Sequence, residues 1–397
     1  MTKITEKALS RAPDGRFDGT YRIAAGAPQS SYFAAVNSGS GFVSYFDGLI
    51  RDRCDRRMII KGGPGTGKSR MLYEAAKIAA DADAAVEYYF CSSDPDSLDG
   101  ITAVFPDGVL MGIQDGTAPH AAEASLPGAR DGLFDLGAFW RADTLLSARR
   151  EIEELNGKKS RAWRDAFECL AAARGLRKTA LTLAGSIMDP ERMCRAAARA
   201  AGEARRRAEL PQAVSGLSPE PLRGSRVLYS PHRSLGMKGA VSLGGIYEGA
   251  DDVYLFSDEL LPGTGMLFIT ELADCVARTG TAARISPDPV APEFCAAVRI
   301  GGCVFTADRR LPDGAEATVH RIGMRRFADA GGLHRVRGEY MRLISLSDAV
   351  ISAALTAMAR ASDAHFALED IYMSAMDFDA KENASRAALE EFFAQYL

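Results

Sequence analysis

The sequence predicts an α/β protein built as two tandem halves, each a parallel sheet followed by a helical extension. Three observations carry that expectation. First, 397 residues exceed one ordinary domain, at roughly 150 residues each. Second, the chain repeats itself. Pro64-Gly65-Thr66-Gly67 returns as Pro262-Gly263-Thr264-Gly265, and Gly41-Phe42-Val43-Ser44 as Gly239-Ala240-Val241-Ser242, both 198 residues later. Further on, the run Val109 to Asp115 resembles Gly302 to Asp308, and Ser186-Ile187-Met188-Asp189 resembles Ser374-Ala375-Met376-Asp377. Matches that keep one order while the displacement drifts read as a duplication with small deletions. Third, each half passes from short apolar runs to long, Ala-rich, charged segments, the change of period that separates buried strands from helices.

Each element has its own warrant. Arg57-Met58-Ile59-Ile60 is a short strand entering a glycine-rich loop, and Ser69 to Ala80 follows as a helix with Leu72, Ala75, Ala76 and Ala79 on one face. Val86 to Cys91 and Val109 to Ile113 lack alternation, as parallel strands covered on both faces do. From Thr144 to Ala208 the pattern is helical, with Gly157 and Pro190 as breaks, and Met341 to Tyr396 closes the second half in the same way. Prolines and serines between 210 and 224 mark a linker, giving domains 1–210 and 225–397.

Composition bounds the function. With 47% hydrophobic and 25% charged residues the chain is neither disordered nor collagen-like. A net charge of −4 argues against an obligate nucleic-acid coat. The segment Arg149 to Glu209 runs the other way, with 15 basic and 9 acidic residues, either a solvated helix face or a docking face for an acidic partner or nucleic acid. The longest apolar stretch, Ala349 to Ala359, falls short of the ~20 residues that span a bilayer, so no membrane partner is expected. Charges in the N-terminal stretch stand where an export signal needs an apolar core, which predicts a cytoplasmic protein. Seven cysteines without a C-x-x-C pair fit reduced thiols better than a disulfide frame or a zinc site.

Chemistry concentrates in Gly62-Gly63-Pro64-Gly65-Thr66-Gly67-Lys68-Ser69, a full match to G-x-x-x-x-G-K-[ST] between a strand and a helix. Glycines let backbone amides close around phosphate oxygens, and the helix that opens there adds its positive end. Lys68 is expected on the β- and γ-phosphates of ATP and the Ser69 hydroxyl on Mg²⁺. Asp115, ending a buried strand, is the expected second contact to the metal. Asp94, in Cys91-Ser92-Ser93-Asp94-Pro95-Asp96, is a candidate to face the γ-phosphate or activate a nucleophile, and His120 a candidate phosphate sensor or proton carrier. Gly116 and Thr117 stand where many vigorous P-loop ATPases place a water-polarising glutamate, so slow hydrolysis is expected.

These residues resemble a family of bacterial tandem P-loop ATPases without assigned substrate. The resemblance rests on Lys61 to Ser69, on CSSDPDSLDG (Cys91 to Gly100) and on DGTAPH (Asp115 to His120), and runs along nearly the whole chain. It implies a nucleotide-binding protein with a helical extension on each half. The chain departs from it where relatives keep a second P-loop, because Met266 and Leu267 replace the lysine and the hydroxyl. Three functions follow: a slow Mg-dependent ATPase or nucleotide-driven switch, a small-molecule kinase with Asp94 as base, or a scaffold holding a structural nucleotide. An unknown protein or small-molecule partner goes with each.

Overall fold

The computed structural model describes residues 17–24, 30–209, 226–257, 259–311 and 317–397; the expected linker at 210–224 lies outside them. In the first half, β1 (Ser31–Phe33), β2 (Arg56–Lys61), β3 (Ala85–Phe90), β4 (Leu98–Val104), β5 (Leu110–Asp115) and β6 (Asp131–Asp135) form one sheet in the order β1-β3-β4-β5-β2-β6. The second half forms β7 (Val227–Tyr229), β8 (Asp252–Ser257), β9 (Ala283–Pro287), β10 (Cys295–Ile300), β11 (Cys303–Thr306) and β12 (Thr318–Gly323). Their order, β7-β9-β10-β11-β8-β12, is the same with every number raised by six.

The sheets are mixed, which corrects the expectation of parallel sheets. β4 runs antiparallel to both its neighbours, as β10 does, while the other pairs are parallel. The cause is local. The Ser/Asp/Pro segment after Cys91 closes a tight turn, with Ser97 N donating to Asp94 O at 2.9 Å and Cys91 N to Ser97 O at 2.9 Å, and so short a connection returns the chain antiparallel. β4 itself, LDGITAV, carries Asp99 and Gly100 in a strand buried almost throughout, so neither alternation nor β-propensity announced it.

Helices α1 (Lys68–Asp81), α2 (Arg149–Gly185) and α3 (Pro190–Glu209) belong to the first half; α4 (Gly265–Thr279), α5 (Ala330–Ser374) and α6 (Phe378–Phe392) correspond to them in the second. Gly157 does not break α2, since one glycine costs about 1 kcal/mol against a helix of 37 residues. Pro190 opens α3 instead, at the position where its missing N–H is not needed. α2 and α5 lie antiparallel along each other. Ala166, Leu170 and Ala173 meet Ile351, Ala354 and Met358, and ion pairs join Asp165 to Arg360 at 3.0 Å and Arg177 to Asp348 at 3.5 Å. By length and composition alone α5 is apolar enough to cross a membrane; its buried apolar face lies on α2.

The helices that follow the long pair exchange halves. Ala197, Ala201 and Ala204 of α3 pack on Phe268, Ile269 and Leu272 of α4, in the second half. Conversely, Leu389 and Phe392 of α6, with Phe393, pack on Met71, Leu72 and Phe105 of the first. Each elbow is clipped to the opposite half by backbone pairing: Met188 bridges Ala328, and Met376 bridges Trp140. Met188 and Met376 are repeat counterparts, and Trp140 and Ala328 stand at the same separation. This reciprocity is the signature of a two-fold interface, here within one chain.

Candidate functional site

The loop between β2 and α1 takes a conformation that its glycines permit. Gly65 and Gly67 have φ of 72° and 82°, the left-handed region that side chains resist. Gly67 caps α1 without any side-chain bond to its first amides, which leaves those donors for another acceptor. Lys68 folds over the loop, donating from Nζ to Gly62 O at 2.9 Å and Gly63 O at 2.7 Å. Thr66 Oγ1 donates to Gly63 O at 3.0 Å, and Thr117 Oγ1 to Gly62 O at 2.7 Å. Pro64, between them, completes the turn.

The expected residues meet in part. Asp115 ends β5 in register with Ile60, so the two strands deliver it beside the loop, with Oδ2 3.6 Å from Lys68 Nζ. Burial raises its pKa and the Lys68 charge opposes that rise. Ser69 Oγ accepts from Leu98 N at 2.9 Å, which orients its hydroxyl. Asp94 is not free: Lys238 of the second half holds it at 2.7 Å and also pairs with Asp96 at 2.5 Å. His120 turns to Asp99 at 3.0 Å and is boxed by Phe42 and Phe46. Burial alone would lower its pKa, and the Asp99 carboxylate reverses the sign.

Cys91 joins that pair, so that three donor atoms lie within 4.8 Å of one another. A thiolate, a carboxylate and an imidazole suit a zinc-like ion. Burial, however, pushes the Cys91 thiol well up, and His120 Nε2 already faces Asp99. Burial thus disfavours the thiolate that a metal would need.

Four further groups reach the loop from elsewhere in the chain. A Cβ placed on Gly65 would lie 2.8 Å from Glu369 O and 2.8 Å from Met373 Cγ, and one on Gly63 3.0 Å from the Trp140 ring. α5 therefore presses on the loop at a distance only glycine allows. The Trp140 indole N–H is buried without an acceptor among the described residues. His365 Nε2 stands 3.7 Å from the Glu369 carboxylate. Burial and the Asp94 charge raise the Glu369 pKa, while the Gly65 amide and Lys68 pull it down. Burial lowers that of His365, with Lys159, Lys68 and Lys238 adding to the effect. No local motif points to these residues: Glu369, Met373 and His365 come from α5 of the second half, and Trp140 from the segment after β6.

The second loop is filled with apolar side chains. Gly263 keeps a left-handed φ of 92°, but Met266 is buried at the start of α4, Leu267 packs into the core, and the Tyr340 hydroxyl donates to Pro262 O at 2.7 Å. Asp308, the counterpart of Asp115, accepts from His232 at 3.0 Å and pairs with Arg233. Arg309 is turned to the N-terminal segment, donating to Asp18 O at 2.8 Å, and so does not reach towards the first loop. Asp258, which precedes this loop in the sequence, lies outside the described residues. A cavity of about 200 Å³ opens elsewhere in the second half, between α3 and the sheet, floored by Tyr254 and Phe305 and edged by Arg199 and Arg207.

No family model, curated protein or solved structure matches this chain.

Proposed function

We propose that the chain is a tandem P-loop protein that binds one Mg-ATP, in its first half, and works as a slow ATPase or nucleotide-driven switch. The observation that carries this reading is the loop Gly62 to Ser69: left-handed glycines lead into an uncapped helix, and Lys68 lies folded on the loop carbonyls beside Asp115. Bound there, ATP would draw Lys68 off its two neutral carbonyls and onto anionic phosphate oxygens, so that donor and acceptor both carry charge. Ser69 and Asp115 offer a hydroxyl and a carboxylate to Mg²⁺, whose chemistry would be to screen the phosphate charge. The orphan donor of Trp140 suits a polar ligand in this place.

Between the switch and the kinase, one contact favours the switch. A kinase base must accept a proton from the attacking hydroxyl, and Asp94 is bridged instead to Lys238 of the other half. That contact ties the loop region to the second half, as a switch requires. The test is calorimetric titration with a non-hydrolysable ATP analogue and Mg²⁺. Binding by the wild type and its loss in Lys68→Ala, with the circular dichroism spectrum preserved, is the expected result; equal binding by both removes the loop from the site. Phosphate release that rises only when a metabolite library is added would return the kinase reading.

A further inference from the structure

α6 brings a second lysine to the loop from the opposite half. Its inward face reads Lys381, Ser385, Leu389, Phe392, and Lys381 is among the most deeply buried side chains of the molecule, about 1% exposed. A Cβ placed on Gly67 would meet Lys381 Nζ at 3.1 Å and Cε at 3.4 Å. Nevertheless, Nζ makes no hydrogen bond and no ion pair with any described residue. Buried ammonium groups are ordinarily paired, because an unpaired one is strongly disfavoured out of water. Burial lowers the Lys381 pKa; Glu74 and Glu382 favour its charge from a distance and Arg70 opposes it.

The repeat supplies an internal comparison. Ser186 to Asp189 correspond to Ser374 to Asp377, so Met193 of α3 stands where α6 has Lys381. The same registration matches the buried face Ala197, Ala201, Ala204 to Ser385, Leu389, Phe392. Met193 packs against the second half, whose loop carries Met266 in place of Lys68. At the loop that has lost its own lysine, the exchanged helix also carries methionine; at the loop that keeps Lys68, it carries Lys381.

We propose that Lys381 is a second phosphate-binding cation, whose ammonium donates to a phosphate oxygen of the nucleotide held in the Gly62–Ser69 loop. The two halves then grip one triphosphate between them. The assignment rests on the reading of that loop as a nucleotide site, and the experiment separates the two.

Lys381→Met copies the residue found at position 193, so it suits this helix face, and Lys381→Gln serves as a second variant should that one misfold. Each is compared with the wild type by calorimetric titration of Mg²⁺ and a non-hydrolysable ATP analogue, and by thermal unfolding with and without that ligand. The expected result has opposite signs. The ligand-free variant melts at the same or a higher temperature, because an unpaired buried charge is gone. Its affinity falls at least tenfold, and the ligand-induced rise in Tm shrinks with it. Wild-type affinity in the variants, while Lys68→Ala fails to bind, overturns the role of Lys381 and leaves the loop reading standing. A ligand-free Tm that falls in both variants, with affinity unchanged, makes Lys381 a structural residue. Absence of binding by the wild type overturns both.

Discussion

Lys68 and Glu369 oppose each other at the same loop. The carboxylate of Glu369 faces the Gly65 amide and the Lys68 charge, in the space a phosphate would enter, so it competes with the ligand for the same donors. Two like charges about 4 Å apart repel by about 1 kcal/mol even in bulk water. Glu369→Gln should therefore tighten binding of Mg²⁺ and an ATP analogue about fivefold by calorimetry, and unchanged or weaker binding would contradict this placement. Asp115 makes the complementary case, since its carboxylate is buried beside Lys68 and bonded to Thr117 N at 2.7 Å. Asp115→Asn should weaken binding more with Mg²⁺ than with EDTA, because only the charge offered to the metal changes. Equal losses would leave Asp115 as the turn residue that its Thr117 bond already makes it.

Among the elements, the edge of the first sheet depends on one buried pair. Arg57 of β2 donates to both oxygens of Asp131, which opens β6, at 2.9 and 3.0 Å, and Asp131 also accepts from the Ser125 and Leu126 amides at 2.7 and 2.9 Å. Burial would raise its pKa, but the guanidinium groups of Arg130 and Arg57 and these amides hold it far below the carboxylate range. A depressed carboxyl stabilises the fold above its unfolded pKa, about 4, and loses that contribution progressively as pH falls below it. Asp131→Asn should cost about 3–5 kcal/mol at pH 7, since it strands a buried guanidinium. In urea unfolding, the gap between wild type and variant should narrow from pH 7 to pH 3; a constant gap would place the stabilisation elsewhere. At this scale the sequence was legible where its signal was local. The loop and α1 follow from residues within one βα unit, and the strand end at Asp115 from its own apolar run. β4 was hidden by its own Asp99 and Gly100, and Gly157 misled because the packing of a long helix outweighs one weak residue. Lys238, Glu369 and Lys381 reach the site only through the second half, and nothing in their neighbourhoods of the chain encodes that.

For the whole molecule the prediction is one nucleotide per chain. Met266 and Tyr340 occupy the second loop, and Asp308 is committed to Arg233 and His232, so among the described residues no uncommitted cation or metal contact remains there. Calorimetric stoichiometry near one is expected, and a value near two would restore the second site. Turnover is expected below the ~1 s⁻¹ floor of typical enzymes, because Gly116 and Thr117 follow Asp115 and leave no adjacent group to orient water. Hydrolysis by the pure protein at tens per second, measured as phosphate release, would contradict it.

The exchange of α3 and α6 changes what each half is free to lose. In a symmetric dimer with the same exchange, every substitution falls on both sites, so loss of either lysine would end binding altogether. Joining the copies in one chain breaks that bond: the first half carries Lys68 but Met193, and the second carries Lys381 but Met266. On the assignment proposed for Lys381, each half holds the cation that the other lacks at the surviving loop. Neither is the active half with a passive companion; they are two incomplete parts whose remaining pieces converge on one place.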